Sequence, residues 1–221
     1  MNGDLFLILI IIFVICLFIL FARIFWMWHK ILRKRQKDES SEKIVSKKLT
    51  PKYQLMYGSS YLIVEDGTGD GLQQGFKILR ANLQKGANAI VVTRTYPDKV
   101  MNKFRLDNVP MLWLSRTEGR RKDAKASGAD FKVIEPTKLG MLLDEIKEHI
   151  HTQDDSIVMF DGLEYLTVHN EFSRVLKFLH GLEDEIALHR SRLIVAINPK
   201  ALDDKDRVLL EKEFKILSFS K

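Results

Sequence analysis

Apolar positions along the chain change rhythm twice. Leu5 to Ala22 (LFLILIIIFVICLFILFA) is 18 consecutive apolar residues; Arg23 interrupts the run and Ile24 to Trp28 extends it. Helical residues rise ~1.5 Å each, so Leu5–Ala22 reaches ~27 Å and Leu5–Trp28 ~36 Å, which brackets a hydrocarbon core of ~30 Å. Residues 36–52 (QKDESSEKIVSKKLTPK) then hold no sustained apolar period and read as a linker ending near Pro51.

From Tyr53 onward short β-rich runs alternate with amphipathic ones. Tyr61–Val64, Ala89–Thr93, Met111–Leu114, Phe131–Ile134, Ile157–Phe160, Leu193–Ile197 and Ile216–Phe219 predict strands. Leu72–Lys85 has apolar residues at 72, 76, 79 and 83, with Gly86 as its C-terminal cap. Thr137 is placed to cap a helix with Leu139, Leu142, Leu143, Ile146 and Ile150 on one face. Asn170 is placed to cap another carrying Phe172, Val175, Leu176, Leu179 and Leu182, and Asp203–Glu213 reads as a charged helix. Continuous apolar strands separated by such helices predict an α/β fold: a mostly parallel sheet with helices on both faces and right-handed crossovers.

The N-terminal run predicts an uncleaved membrane anchor. It contains no Pro or Gly and no polar group beyond Cys16, so a helix satisfies its backbone within lipid. No small-residue cleavage pattern of a signal peptide follows. Arg23, Trp26 and Trp28 fall where snorkelling and interfacial side chains collect. Lys30, Arg33, Lys34, Arg35 and Lys37 lie on the C-terminal side against only Asp4 on the other. The positive-inside rule then places the N-terminus outside and the rest in the cytoplasm, as a single-pass protein of the cell membrane. The expected organisation is an anchor (1–28), a basic juxtamembrane linker (29–52) and a cytoplasmic α/β domain (53–221).

Charge locates the partner surface rather than enlarging it. Residues 23–48 hold nine Lys/Arg against three Asp/Glu, whereas 49–221 hold 26 against 25. The excess is a collar suited to anionic lipid headgroups. The basic cluster Arg116, Arg120, Arg121, Lys122 and Lys125 has no aromatic or groove-entering motif beside it and reads as a solvated loop, so no nucleic-acid partner is expected.

Function in parallel α/β folds collects at the carboxyl ends of strands. Here those ends bear Glu65 and Asp66, Thr93 and Arg94, and Asp161. An apolar strand ending in Asp is the sequence form of a Mg²⁺-holding carboxylate in phosphate-transferring NTPases. Its partner, a G-x-x-x-x-G-K-[ST] loop, is incomplete: Gly67, Gly69 and Gly71 are there, but no Lys and no Ser/Thr follow, and Glu65, Asp66 and Asp70 would repel a triphosphate. Gly162 follows Asp161 where many such ATPases carry a catalytic Glu. The expected site is an interaction rim of Arg94, Asp161, Glu164, Tyr165 and Asn170. In it Arg94, Asp161 and Glu164 form a paired network, of a kind whose loss costs ~3–5 kcal/mol. A receiver-type phospho-acceptor reading fails because 96 residues separate Glu65 from Asp161. The six His are scattered, with His149 and His151 on different sides of a helix, and the domain has no Cys, so neither a metal nor a cofactor is expected.

The segments GSSYLIVED (58–66), VVTRTYP (91–97), VPMLWLS (109–115), FDGLEYLTVHNEFSRVLKFL (160–179) and LIVAINPKAL (193–202) resemble the archaeal family known as domain of unknown function 835. The stretch GRRKDAKASGAD (119–130) has no counterpart in that pattern. The resemblance implies a RecA/KaiC-like fold that has lost its phosphate loop. It also implies a regulatory role, since members occur as membrane proteins or joined to signalling modules, and it transfers no catalytic residue. The combined expectation is a membrane-anchored, non-catalytic signalling or scaffold protein that contacts lipid, an unidentified protein partner and, through a strand edge or the rim, a second copy of itself. The competing expectation is a divergent nucleotide-binding protein or ATPase using Asp161 for magnesium.

Overall fold

The computed structural model describes residues 55–65, 70–116 and 131–219. All lie in the second of two units into which the chain separates, Tyr53–Lys221. The apolar run 5–22, the basic collar, Asp66, Gly67, Gly69 and the basic residues 120–125 fall outside the described residues. Among those described, no helix is long and apolar enough to cross a membrane.

Among the described residues seven strands form one sheet: β1 (Ser59–Val64), β2 (Asn88–Thr93), β3 (Met111–Leu114), β4 (Phe131–Ile134), β5 (Ser156–Asp161), β6 (Arg192–Ile197) and β7 (Lys215–Ile216). Their order is β4-β3-β2-β5-β6-β1-β7, and every pairing is parallel. The helices are α1 (Asp70–Leu83), α2 (Pro97–Phe104), α3 (Leu139–Thr152), α4 (Leu163–His169), α5 (Phe172–Leu188) and α6 (Asp204–Glu213). α1 and α2 meet each other on one face of the sheet, while α3, α4 and α5 cover the other. The period-2 geometry of a strand divides each run between the two layers. Ile63 and Met159 turn toward α1, whereas Val158 and Phe160 join the core cluster with Leu142, Ile146, Leu179 and Leu182. That double burial is why the strands carry no polar alternation.

Two helices were not foreseen. α2 begins with Pro97, with Asp98 in its first turn, and α4 starts directly after Gly162. Two expected caps are also corrected. The residue before α3 is Lys138, with no side-chain cap, because Thr137 lies one position too early. Asn170 does not open α5, which Glu171 precedes. It closes α4, donating from Nδ2 to the carbonyls of Leu166 and Pro136, both at 2.9 Å. The last strand is Lys215–Ile216 rather than Ile216–Phe219: these two residues pair in register with Tyr61 and Leu62 of β1, and the Leu217 N–H closes the ladder on the Leu62 carbonyl at 2.8 Å.

Close approach of α1 to the sheet sets up the site. A Cβ on Gly75 would stand 2.8 Å from Ile63 Cδ1 and 3.0 Å from Met159 Cε, so the helix lies directly on β1 and β5. Its N-terminus is thereby held over the carboxyl end of β1.

Candidate functional site at the carboxyl rim

The carboxyl ends of the four central strands β2, β5, β6 and β1 form a contiguous rim. The chain leaves β2 toward the α2 face and β5 toward the α4 face, so the switch of direction falls between Thr93 and Asp161, which sit opposite each other in register. A crevice at such a point is where open α/β sheets bind ligands.

Glu65 follows β1, tied to the sheet by its N–H donating to the Ile197 carbonyl at 2.9 Å. Its Oε1 accepts the Leu72 N–H of the first turn of α1 at 2.8 Å. Free N–H groups and the positive end of the helix dipole make such a terminus a seat for anions. Here the chain's own carboxylate occupies the seat that a phosphate-binding loop leaves open.

Asp161 ends β5, and its Oδ2 accepts from the Thr93 hydroxyl at 3.2 Å, while Thr93 Oγ1 also accepts the Thr95 N–H at 3.0 Å. Burial pushes the Asp161 carboxyl up to about 6. The Thr93 hydrogen bond opposes that rise, the charges of Glu164 and Glu65 add to it, and Lys103 pulls it back. Glu164, on α4, accepts the Asn198 N–H through Oε1. Burial also raises its carboxyl, against that hydrogen bond and with the Glu65 charge. The inner rim is therefore three carboxylates, each held by a different donor.

The expected ion network is not formed. Arg94 is exposed, and its guanidinium carbon lies 4.3 Å from the centre of the Tyr165 ring. Its Nη1 donates to the Leu114 carbonyl at 3.5 Å, so neither Asp161 nor Glu164 receives it. Only its backbone N–H reaches Asp161, at the main-chain oxygen, 3.1 Å away. Gly162, at φ +127°, lies close by: a Cβ there would stand 3.2 Å from the N and Cβ of Arg94. The Arg94 side chain lies over α4, on the Tyr165 ring. The φ of Gly162 is one that L side chains adopt only with strain, so a Glu at the position after Asp161 would be strained.

Of the expected rim residues, Arg94 and Tyr165 stack together, Asp161 and Glu164 line the inner side, and Asn170 lies at the far end of α4 as its closure. Thr93 was expected at a strand end but not as the partner of Asp161, and Asn198 and the capping role of Glu65 went unforeseen. So did an aromatic trio beyond Arg94: Tyr96, Trp113 and Phe131 meet edge to face with centroids 5.2–6.2 Å apart. Trp113 is not wholly core, since its Nε1 donates to the Arg94 carbonyl at 3.1 Å. The one sequence signal for Thr93 was its position at the end of a strand. The rest depend on which strand ends are neighbours.

No curated protein sequence matches the chain. Among solved structures, the flagellar accessory protein FlaH from Methanocaldococcus jannaschii is similar at 14% identity, with 75% of each chain covered and a TM-score of 0.48. Protein PH0250 from Pyrococcus horikoshii OT3 is similar at 15% identity, covering 75% of this chain and 83% of its own, with a TM-score of 0.51. The latter supports the fold alone, a parallel α/β sheet covered by helices. A family model described as "Protein of unknown function (DUF835)" matches residues 71–214. Four of the five resembling segments fall inside that span, and GSSYLIVED precedes it. The match covers more than half of the sequence, and the chain belongs to the DUF835 family.

Proposed function

We propose that this protein is a membrane-anchored, non-catalytic signalling or scaffold protein whose RecA-like domain acts through protein contacts at its carboxyl rim. The observation that carries the reading is the Glu65–Leu72 contact. A carboxylate already holds the helix N-terminus that a nucleotide's phosphates would need, and no loop lysine follows to outbid it. The apolar run 5–22 and the basic collar support a position of the domain against the cytoplasmic face of the cell membrane, with anionic lipid as the second partner. The outer rim, with Arg94 stacked on Tyr165 beside Tyr96 and Trp113, has the Arg and aromatic content of an interaction hot spot.

One observation favours a divergent nucleotide-binding protein using Asp161 for magnesium instead. A carboxyl group with a raised pKa at the switch point is a functional-site candidate in its own right. A titration of the purified protein with ATP and GTP, with and without Mg²⁺, separates the two. A ligand at 100 times its Kd adds about 2.7 kcal/mol of stability, which moves the thermal midpoint by several degrees. The expected result is no shift up to millimolar nucleotide. A Mg²⁺-dependent shift that Asp161→Asn abolishes would overturn the scaffold reading.

A further inference from the structure

A second constellation lies away from the rim, where the last turns of α3 and α5 meet. Lys147 and His151 are one turn apart on α3, as Glu185 and His189 are around the end of α5, so each pair shares a helix face. Glu185 joins them. Its Oε1 takes Lys147 Nζ at 2.7 Å, and its Oε2 stands 2.9 Å from His151 Nε2 and 3.6 Å from His189 Nδ1. His189 Nδ1 also lies 3.1 Å from the Glu185 carbonyl. The two imidazole centroids are 4.3 Å apart with their planes tilted by 36°. One ligand atom from each of His151, Glu185 and His189 lies within 4.8 Å of the others.

The two separations from Glu185 Oε2 are near those around a small tetrahedral ion, for which His189 Nδ1 would exchange its contact with the Glu185 carbonyl. Donors bound at ~2.0–2.2 Å stand ~3.4 Å apart, and the two measured distances from Glu185 Oε2 fall on either side of that value. Two imidazoles and one carboxylate form a donor set of open zinc sites, with a fourth position left over. The surroundings favour a cation as well. His151 and Glu185 sit in the last turns of their helices, where the carbonyl ends carry partial negative charge. The Lys147 bond to Oε1 leaves Oε2 to face the imidazoles, the kind of outer hydrogen bond that orients a metal ligand. Without a metal, the same residues are a surface ion-pair cluster fastening α3 to α5.

We propose that His151, Glu185 and His189 form a binding site for a divalent transition metal ion of the Zn²⁺ class, with its fourth position open to water or to a side chain of a partner protein. His180, Glu183 and Glu213 also come within reach of one another. That group has one imidazole, and its His180 Nε2 stands 4.0 Å from Glu213 Oε2, so it serves as the internal control.

The test is a titration of the tag-free full chain in detergent micelles with Co²⁺, whose visible absorption reports coordination, followed by displacement with Zn²⁺. The expected result is saturation at about one equivalent with low-micromolar or tighter affinity. His151→Ala and His189→Ala should each weaken it at least ~10-fold, and His180→Ala should leave it unchanged. His151 and His189 are 44% and 38% exposed, so both variants are expected to fold, which circular dichroism checks. Absence of saturable Co²⁺ absorption overturns the proposal. So does wild-type affinity in the His151→Ala/His189→Ala double variant, or loss of binding in His180→Ala alone.

Discussion

Asp161 shows what one residue costs and what it is kept for. The carboxyl is raised from the ordinary aspartate range to about 6, first because it is buried. The folded chain therefore holds this proton more tightly than the unfolded chain, whose aspartates titrate near ~3.9. The stability contributed by that proton is full below about pH 4 and is lost as pH rises through about 6, so this residue makes stability fall across that window. A shift of this size corresponds to a penalty on the order of 3 kcal/mol at neutral pH. Asp161→Asn keeps an acceptor for the Thr93 hydroxyl and removes the charge. It is expected to raise urea stability at about pH 8 by ~1–3 kcal/mol and to flatten the decline between about pH 4 and 6.5. A residual slope should remain from Glu164, whose carboxyl is displaced in the same direction. If the variant keeps the wild-type slope, the penalty lies elsewhere. The strand-ending Asp was legible in the sequence. Its environment was not, because burial, Thr93 and two further carboxylates arrive from four different elements.

At the scale of elements, the turn from β5 into α4 decides the rim. Gly162 adopts φ +127°, a region L side chains enter only with strain, while pressed against Arg94 and Leu114. Gly162→Ala is expected to destabilise the domain by about 2–3 kcal/mol, read as a lower denaturation midpoint with an unchanged denaturant slope. A neutral outcome would show that the turn relaxes freely. The long strands and α1, α3 and α5 were legible because each sustains an apolar period over several turns or a full strand. α4 was not, having seven residues with only Leu163 and Leu166 buried. α2 carried a usable signal in Pro97, since proline at the first helical positions is favoured, but its eight residues hold few apolar positions. Asn170 fits an N-cap and a helix closure equally well as a residue type. Its bond to the Pro136 carbonyl, from the loop before α3, favours the closure.

Across the whole molecule, the end of the sheet opposite the rim is fastened by a buried cation. Arg192, 5% exposed at the start of β6, pairs with Asp155 and donates to Asn82 Oδ1 at 3.3 Å, linking β6 to the turn before β5 and to α1. Tyr57 lies under it, with the guanidinium carbon 4.9 Å from the ring centre. Burial lowers the Arg192 pKa, so its charge is held there against a desolvation cost. Removing one member of such a pair strands the other. Asp155→Ala, which leaves the buried Arg192 without its counter-ion, is expected to cost about 3 kcal/mol in urea unfolding, whereas Arg192→Ala with Asp155→Ala should cost less than the sum of the single changes. Strictly additive losses would show that the two side chains do not act as a unit.

The sequence by itself determined the class of the domain, its strands and longer helices, its family and the absence of a G-K-[ST] sequence after the first strand. Each of these rests on local pattern, because burial on one or both faces imposes a period of 3.6 or 2 on the residues that supply it. Only the tertiary structure decided which side chains share a site. Glu65 reaches Leu72 because α1 lies close on the sheet, Arg94 stacks on Tyr165 because α4 follows β5 beside the end of β2, and His151 meets Glu185 because α3 packs beside α5. Such meetings come from long-range packing of elements already formed, and no spacing along the chain encodes them.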